Sequence, residues 1–222
     1  PINDRQENLN VTCIAQTVSG TIFYGTGEGG FVNLSGTRNG SPAFLGAGLY
    51  KSTDGRGVSF TKMTNTSAAS FMQCNSMVAH PKEDKFYLGT EDGIYEFTNN
   101  GGTQKKISVG SIKELKIDKN GVLWASTGSG SILKMDGAGA MKQMNASVNT
   151  GGRTSLAISP EDPNYVYLMG ASGTGAFSGL LRTTDGGATW TKLVSYSSIT
   201  DIFGSNRQGW YDNVVSVDPT NK

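Results

Sequence analysis

The 222-residue sequence has one histidine, two cysteines and few charged residues. His80 stands before Pro81 in a stretch that reads as a turn, so neither an imidazole base nor a histidine ligand set is expected. Cys13 and Cys74 form no Cys-x-x-Cys pair. With a single histidine, that excludes the usual transition-metal ligand sets; no metal and no cofactor is expected. Charged residues make up 17% of the chain and the net charge is +1, with basic residues scattered. No large field therefore draws the chain to nucleic acid or an anionic membrane. No apolar run approaches the ~20 residues a membrane-spanning helix needs, so no direct membrane insertion is expected. The opening Pro1-Ile2-Asn3-Asp4 shows no leader pattern, as expected of a processed chain or a cytosolic one.

Glycine, by contrast, is abundant, with 31 residues between short alternating apolar runs. Two stretches are near-copies of one loop. Lys51-Ser52-Thr53-Asp54-Gly55-Arg56-Gly57-Val58-Ser59-Phe60 and Arg182-Thr183-Thr184-Asp185-Gly186-Gly187-Ala188-Thr189-Trp190 are both followed by Thr-Lys. A repeated hairpin implies a repeated structural unit. Each unit reads as four short strands joined by Gly- and Asp-rich turns. Tyr24, Tyr87, Trp124 and Tyr167 recur as second-strand aromatics, at periods of about 40 residues after a longer first gap. The chain is expected to be one all-β domain over 1–222, a β-propeller of four-stranded antiparallel blades. The blades fall near 9–63, 71–108, 110–145 and 152–194, with a fifth begun at 209–222 by an inner strand at Asn213–Pro219.

The hairpin residues Ser52, Asp54, Gly55, Phe60, Thr183, Asp185, Gly187 and Trp190 are expected to be structural. The carboxylate can accept backbone N–H bonds within its own turn, glycine supplies positive φ, and the aromatic packs between blades. The second and third units carry worn versions, at 98–103 and 134–139, which suits packing better than catalysis. Cys13 and Cys74 lie in or beside inner strands of neighbouring units. They read equally as two buried small hydrophobes or as a disulfide tying two blades in an oxidising compartment.

At these hairpins the chain resembles the Asp-box (BNR-repeat) propellers, which include sialidases, xyloglucan-cleaving endoglucanases and sortilin-type receptors. Gly25-Thr26-Gly27-Glu28-Gly29 leading to Gly48-Leu49-Tyr50-Lys51, and Gln208-Gly209-Trp210-Tyr211-Asp212-Asn213 leading to Val217-Asp218-Pro219-Thr220-Asn221, are similar to large secreted proteins of Gram-negative bacteria exported by type IX secretion. The resemblance implies a secreted or cell-surface protein and a larger, six- to eight-bladed propeller, whose remaining blades lie on other sequence. The alternative is a small ring closed by residues 1–10.

Loops between second and third strands and links between blades should open on one face, the usual place for a site. That sorts Arg38 and Asn39 (in the insert 30–45), Phe177, and the link residues Asn206, Arg207, Trp210, Tyr211 and Asp212 as candidates for ligand binding. Aromatic faces with amide and carboxylate groups suit sugar rings. The first expectation is therefore a non-catalytic propeller that binds glycan or protein. A glycoside hydrolase would need two facing carboxylates, for which Glu28 and Asp212 are the nominees. A third reading is a scaffold or receptor for a protein partner.

Overall fold

The computed structural model describes residues 6–8, 10–27, 37–38, 41–42, 45–144, 148–195 and 201–221. They divide into two compact units, Pro1–Ile112 and Lys113–Lys222. The regular structure is all-β apart from short 3-10 turns, and its four main sheets each have four strands.

In the first unit, β1 (Val11–Gln16), β2 (Ile22–Thr26), β5 (Leu49–Ser52) and β6 (Thr61–Lys62) pair in that order, each antiparallel to the next. A two-residue ribbon, β3 (Thr37–Arg38) with β4 (Ser41–Pro42), is inserted between β2 and β5. The second sheet is β7 (Cys74–Ala79), β8 (Phe86–Thr90), β9 (Gly93–Thr98) and β10 (Thr103–Val109). Every residue of β8 is buried, because both its faces are covered. Its period-2 alternation sends Phe86 and Leu88 towards the first sheet, into a core with Phe23, Leu49 and Phe97. The Phe23 and Phe86 ring centroids are 4.3 Å apart, and Phe86 stacks on Phe97 at 4.7 Å. Each such buried ring stabilises by roughly 1.5–3 kcal/mol. The outermost strand β10 exposes Thr103, Gln104, Lys105 and Lys106, polar residues that suit an open sheet edge.

The second unit holds β11 (Ile112–Ile117, whose first residue closes the first unit), β12 (Leu123–Thr127), β13 (Ile132–Met135) and β14 (Met141–Gln143). The fourth sheet is β15 (Thr154–Ile158), β16 (Val166–Ala171), β17 (Phe177–Thr183) and β18 (Thr191–Val194). Trp124 and Ile132 of one sheet pack with Leu156, Val166, Leu168 and Leu181 of the other.

The acid-bearing hairpins are built as small carboxylate cages. Asp54 accepts the backbone N–H groups of Arg56 (2.8 Å), Gly57 (2.6 Å), Val58 (2.9 Å) and Ser59 (3.2 Å). These bonds, that of Arg56 foremost, hold its pKa down at about 2. Asp185 accepts from the Thr189 hydroxyl (2.6 Å), the Thr189 N–H (2.9 Å) and the Thr183 hydroxyl (2.7 Å), which lower its pKa further still. The shaped loop presents a glycine to the preceding sheet. Gly187, at φ 97°, sits so close to Trp124 and Met144 that a Cβ would lie 2.9 and 2.6 Å from them. Lys134, the cross-strand partner of Trp124, donates to Gly186 O at 2.6 Å, and Trp190 meets Trp124 edge-on at 6.4 Å. The first unit repeats this clasp with a worn hairpin. Gly101, at φ 78°, abuts Phe23 and Met63, leaving a Cβ 2.9 and 2.8 Å away. Lys51, the cross-strand partner of Phe23, donates to Asn100 O at 3.4 Å.

Two expectations change, and the open choice between two readings of Cys13 and Cys74 falls to one of them. The aromatic equivalent to Tyr87, Trp124 and Tyr167 is Phe23, not Tyr24. Tyr24 faces the other way, stacking on Tyr50 at 4.9 Å. Residues 213–218, expected as part of an inner strand, run without strand pairing among the described residues. Cys13 and Cys74 are both free thiols rather than a disulfide. They meet around Gly25, where a Cβ would lie 2.7 Å from both Cys13 Sγ and Cys74 Cβ. There Cys13 Sγ donates to the Cys74 carbonyl at 3.9 Å. Burial pushes the Cys13 thiol up to about 12 and the Cys74 thiol higher, which keeps them protonated and unreactive.

Two predictions follow from the cages and the thiols. A carboxylate with a depressed folded pKa stabilises above its ordinary pKa near ~4. That contribution is lost as pH falls through about 2 for Asp54. Asp54→Ala should therefore melt a few degrees below wild type at pH 7, and the two melting curves should converge below pH 3. An unchanged gap at pH 2 would contradict the cage. Native protein at pH 8 should label neither thiol with iodoacetamide on the timescale that labels both after unfolding. A Cys13–Cys74 cross-linked peptide in a non-reducing digest would contradict the free thiols.

Candidate functional site

The candidate lies in the second unit, where the link 201–213 folds back over the β16–β17 turn. The Asp201 carboxylate organises its start, accepting the N–H groups of Phe177 and Phe203, both at 3.1 Å. Gly209 donates to Gly175 O at 2.9 Å, drawing the link down onto the turn. Neither glycine has room for a side chain: a Cβ on Gly209 would lie 2.4 Å from Phe203 and 2.7 Å from Ala171, and one on Gly175 would lie 2.0 Å from Arg207 O. Arg207 adopts a left-handed φ of 51° and opens a 3-10 turn at Gln208–Trp210. That turn is closed by Tyr211 and Asp212 N–H groups donating to Gln208 O at 2.7 and 2.8 Å.

A buried polar anchor holds the far end. Arg153 Nη1 donates to the carbonyls of Trp210 (3.1 Å) and Tyr211 (3.3 Å). Asn213, 1% exposed, donates through Nδ2 to Arg153 O (3.0 Å) and Met169 O (3.2 Å). Burial works against the Arg153 charge, and the Glu114 carboxylate opposes that loss. Glu114 is itself held by the Leu156 N–H at 2.9 Å and by Lys116 at 3.0 Å.

The result is a rigid platform bearing two tilted rings. The Trp210 and Tyr211 centroids are 5.6 Å apart at 57°. Trp210 is half-buried, and Tyr211 is 45% exposed. Asn206, Arg207 and Asp212 are exposed around them. Such a surface can offer ring faces, a guanidinium, an amide and a carboxylate to a polar ligand. Phe177 stands apart from this set. It is buried and packs edge-on to Phe203 at 6.0 Å, so it props the platform from beneath. Glu28 and Asn39 lie outside the described residues, and Arg38 is placed only by its backbone in β3. The sequence placed Asp201 and Phe203 in the candidate link and Arg153 at the end of a blade link on the same face, but gave none of them, nor Asn213, a role. The one signal for Arg153 was its position after Gly151-Gly152 at the start of an inner strand.

His80 is a turn residue, with Nδ1 accepting the N–H groups of Lys82 (3.2 Å) and Glu83 (3.0 Å). Burial lowers its pKa, which keeps the ring neutral at pH 7. Among the described residues, no group of three or more His, Cys, Asp or Glu side chains is arranged to hold a metal ion.

By sequence the chain matches no protein-family model and no curated protein. By structure it is similar to the GH74 enzyme of Niastella koreensis, with a TM-score of 0.65 and 19% identity over 91% of this chain and 32% of that one. It is similar to the GH74 xyloglucanase of Xanthomonas campestris, with a TM-score of 0.57 and 15% identity over 79% of this chain and 28% of that one. It is also similar to an extracellular domain assigned to a hybrid two-component system of B. thetaiotaomicron, with a TM-score of 0.55 and 15% identity over 84% and 25%. The chain thus spans no more than about a third of the length of these structures. Its four antiparallel four-stranded sheets have the β-propeller fold, and they make up part of a propeller.

Proposed function

We propose that the chain is the non-catalytic part of a secreted or surface-exposed propeller and binds glycan through the 201–213 platform. One observation carries this reading: the half-buried Trp210 and the exposed Tyr211 form an aromatic pair whose backbone is fixed from below by Arg153 and Asn213. A rigid aromatic surface loses little entropy on binding. The exposed Asn206, Arg207 and Asp212 supply hydrogen-bonding groups for hydroxyl edges. The hairpins carry no chemistry in this reading, since the Asp54 and Asp185 oxygens are taken up within their own turns. The likeness to a xyloglucanase makes xyloglucan oligosaccharides the first probe. The likeness to an extracellular domain supports an extracytoplasmic location, and with the sequence resemblance it supports export by a Gram-negative bacterium.

A second reading is favoured by the GH74 neighbours: a polysaccharide hydrolase with Asp212 as one of two carboxylates. It requires an acid facing Asp212, the place assigned in sequence to Glu28. Titration calorimetry with a glycan panel that includes xyloglucan oligosaccharides, alongside a reducing-sugar assay, separates the two. Binding without sugar release is expected. Trp210→Ala and Tyr211→Ala should each weaken binding about tenfold, ~1.4 kcal/mol, with the melting temperature of Tyr211→Ala unchanged. Sugar release abolished by Asp212→Ala would establish the hydrolase. Failure of every glycan to bind would leave the platform to a protein ligand and overturn the proposal.

A further inference from the structure

Three Asn-Gly pairs occur in the chain, at 39–40, 100–101 and 120–121, and the last two lie among the described residues. Asparagine is a thermolabile residue, and before glycine its chemistry is intramolecular. The glycine's backbone nitrogen can attack the asparagine side-chain carbon, because no Cβ on the glycine blocks the approach. The structure treats the two described pairs differently. Asn120–Gly121 is tied into its turn. The Gly121 N–H donates to Asp118 O at 3.0 Å, and the N–H groups of Asn120 and Val122 donate to Asp118 Oδ1 at 2.8 and 2.9 Å. The attacking nitrogen is thereby engaged, and the residues on both sides of it are held.

Asn100–Gly101 has no such restraint on its nitrogen. Among the described residues no acceptor takes the Gly101 N–H; the turn closes instead through Gly102, which donates to Asn99 O at 2.9 Å. Asn100 is exposed, and its side-chain amide makes no hydrogen bond among the described residues. Yet this pair forms the clasp on the first sheet. Gly101, at φ 78°, leaves no room for a Cβ against Phe23 and Met63. Its carbonyl accepts Asn65 Nδ2 at 2.9 Å, and the Asn100 carbonyl accepts Lys51 Nζ at 3.4 Å.

We propose that Asn100 is a spontaneous modification site, whose conversion to isoaspartate releases the hairpin of the second sheet from the first. The Gly101 nitrogen bonds to Asn100 Cγ, the Cγ–Nδ2 bond breaks, and the amide proton leaves with Nδ2 as ammonia. The cyclic imide so formed takes up water and opens at either carbonyl, giving aspartate or isoaspartate at position 100. Water is the only other reactant. In isoaspartate the main chain runs through Cβ and Cγ, which lengthens it by a methylene and adds a carboxylate beside the turn. A contact with no space for a Cβ has none for that methylene. The clasp therefore ages at this hairpin, whereas the fourth-sheet clasp at Gly186–Gly187 has no asparagine to convert.

Peptide mapping of protein held at pH 8, with fragmentation that separates aspartate from isoaspartate, tests this. In the native protein Asn100 should convert several times faster than Asn120. In denaturant, where neither turn exists, the two rates should come together. The melting temperature of the aged protein should fall in step with the isoaspartate found at position 100. Asn100→Gly removes the reacting group, and glycine takes the left-handed backbone without strain, so this variant should keep its initial melting temperature through the same incubation. Equal native rates at the two pairs, or a native Asn100 that converts far more slowly than it does in denaturant, would overturn the proposal. So would a converted protein that melts as fresh protein does, or an Asn100→Gly variant that loses stability as fast as wild type.

Discussion

The structure depends on glycines held at positive φ and pressed against aromatic rings of the preceding sheet. At Gly101 and Gly187 the approach is too close for a Cβ. Each of those glycines must be delivered by a hairpin of fixed shape. In the fourth sheet that shape comes from Asp185 and two threonine hydroxyls. In the second it comes from a run of left-handed backbone at Asn99 and Asn100. Different local chemistry thus yields one inter-sheet contact, which explains how the hairpin sequence can decay while the architecture persists. The carboxylate is a means of shaping the turn, and the glycine–ring contact is what the turn serves.

This arrangement frees the opposite ends of the strands for variation. In the second unit the β16–β17 turn and the link after β18 are joined by a backbone hydrogen bond from Gly209 to Gly175 and by the Asp201 carboxylate. Arg153 and Asn213 then tie the link to the inner strand and to β16. Trp210 and Tyr211 are carried on a loop whose backbone is hydrogen-bonded at both ends, which is how a loop becomes a rigid surface for a ligand.

Much of the fold was legible because its signals are local. Alternation over four to seven residues marks a strand, and an Asp followed by Gly within a Ser/Thr-flanked loop marks the hairpin. What escaped the sequence was either degenerate or distant. Phe23 and Tyr24 are adjacent aromatics, and a one-residue slip in register exchanges the faces of a strand; only the Phe23–Lys51 pairing settles which ring faces the next sheet. The stretch 213–218 has the composition of a strand but pairs with none among the described residues. Arg153 acts on carbonyls 57 and 58 residues away, a separation at which spacing says nothing. Phe177 had the right residue type in the right loop, yet the Phe203 ring covers it. Cys13 and Cys74 do come together around Gly25 as neighbouring inner strands would require, but as protonated thiols.

The central claim separates cleanly from backbone strain. Gly187 and Gly110 have nearly the same φ, 97° and 99°, but a Cβ on Gly110 would meet nothing within 4 Å. Chemical denaturation of Gly187→Ala and Gly110→Ala compares equal strain with and without the clasp. Gly187→Ala should be less stable than Gly110→Ala by about 2 kcal/mol, the typical penalty for overpacking a closed contact, with an altered Trp124 environment in the near-UV spectrum. Equal losses in the two variants would show that the glycine–ring contact does not hold the sheets together.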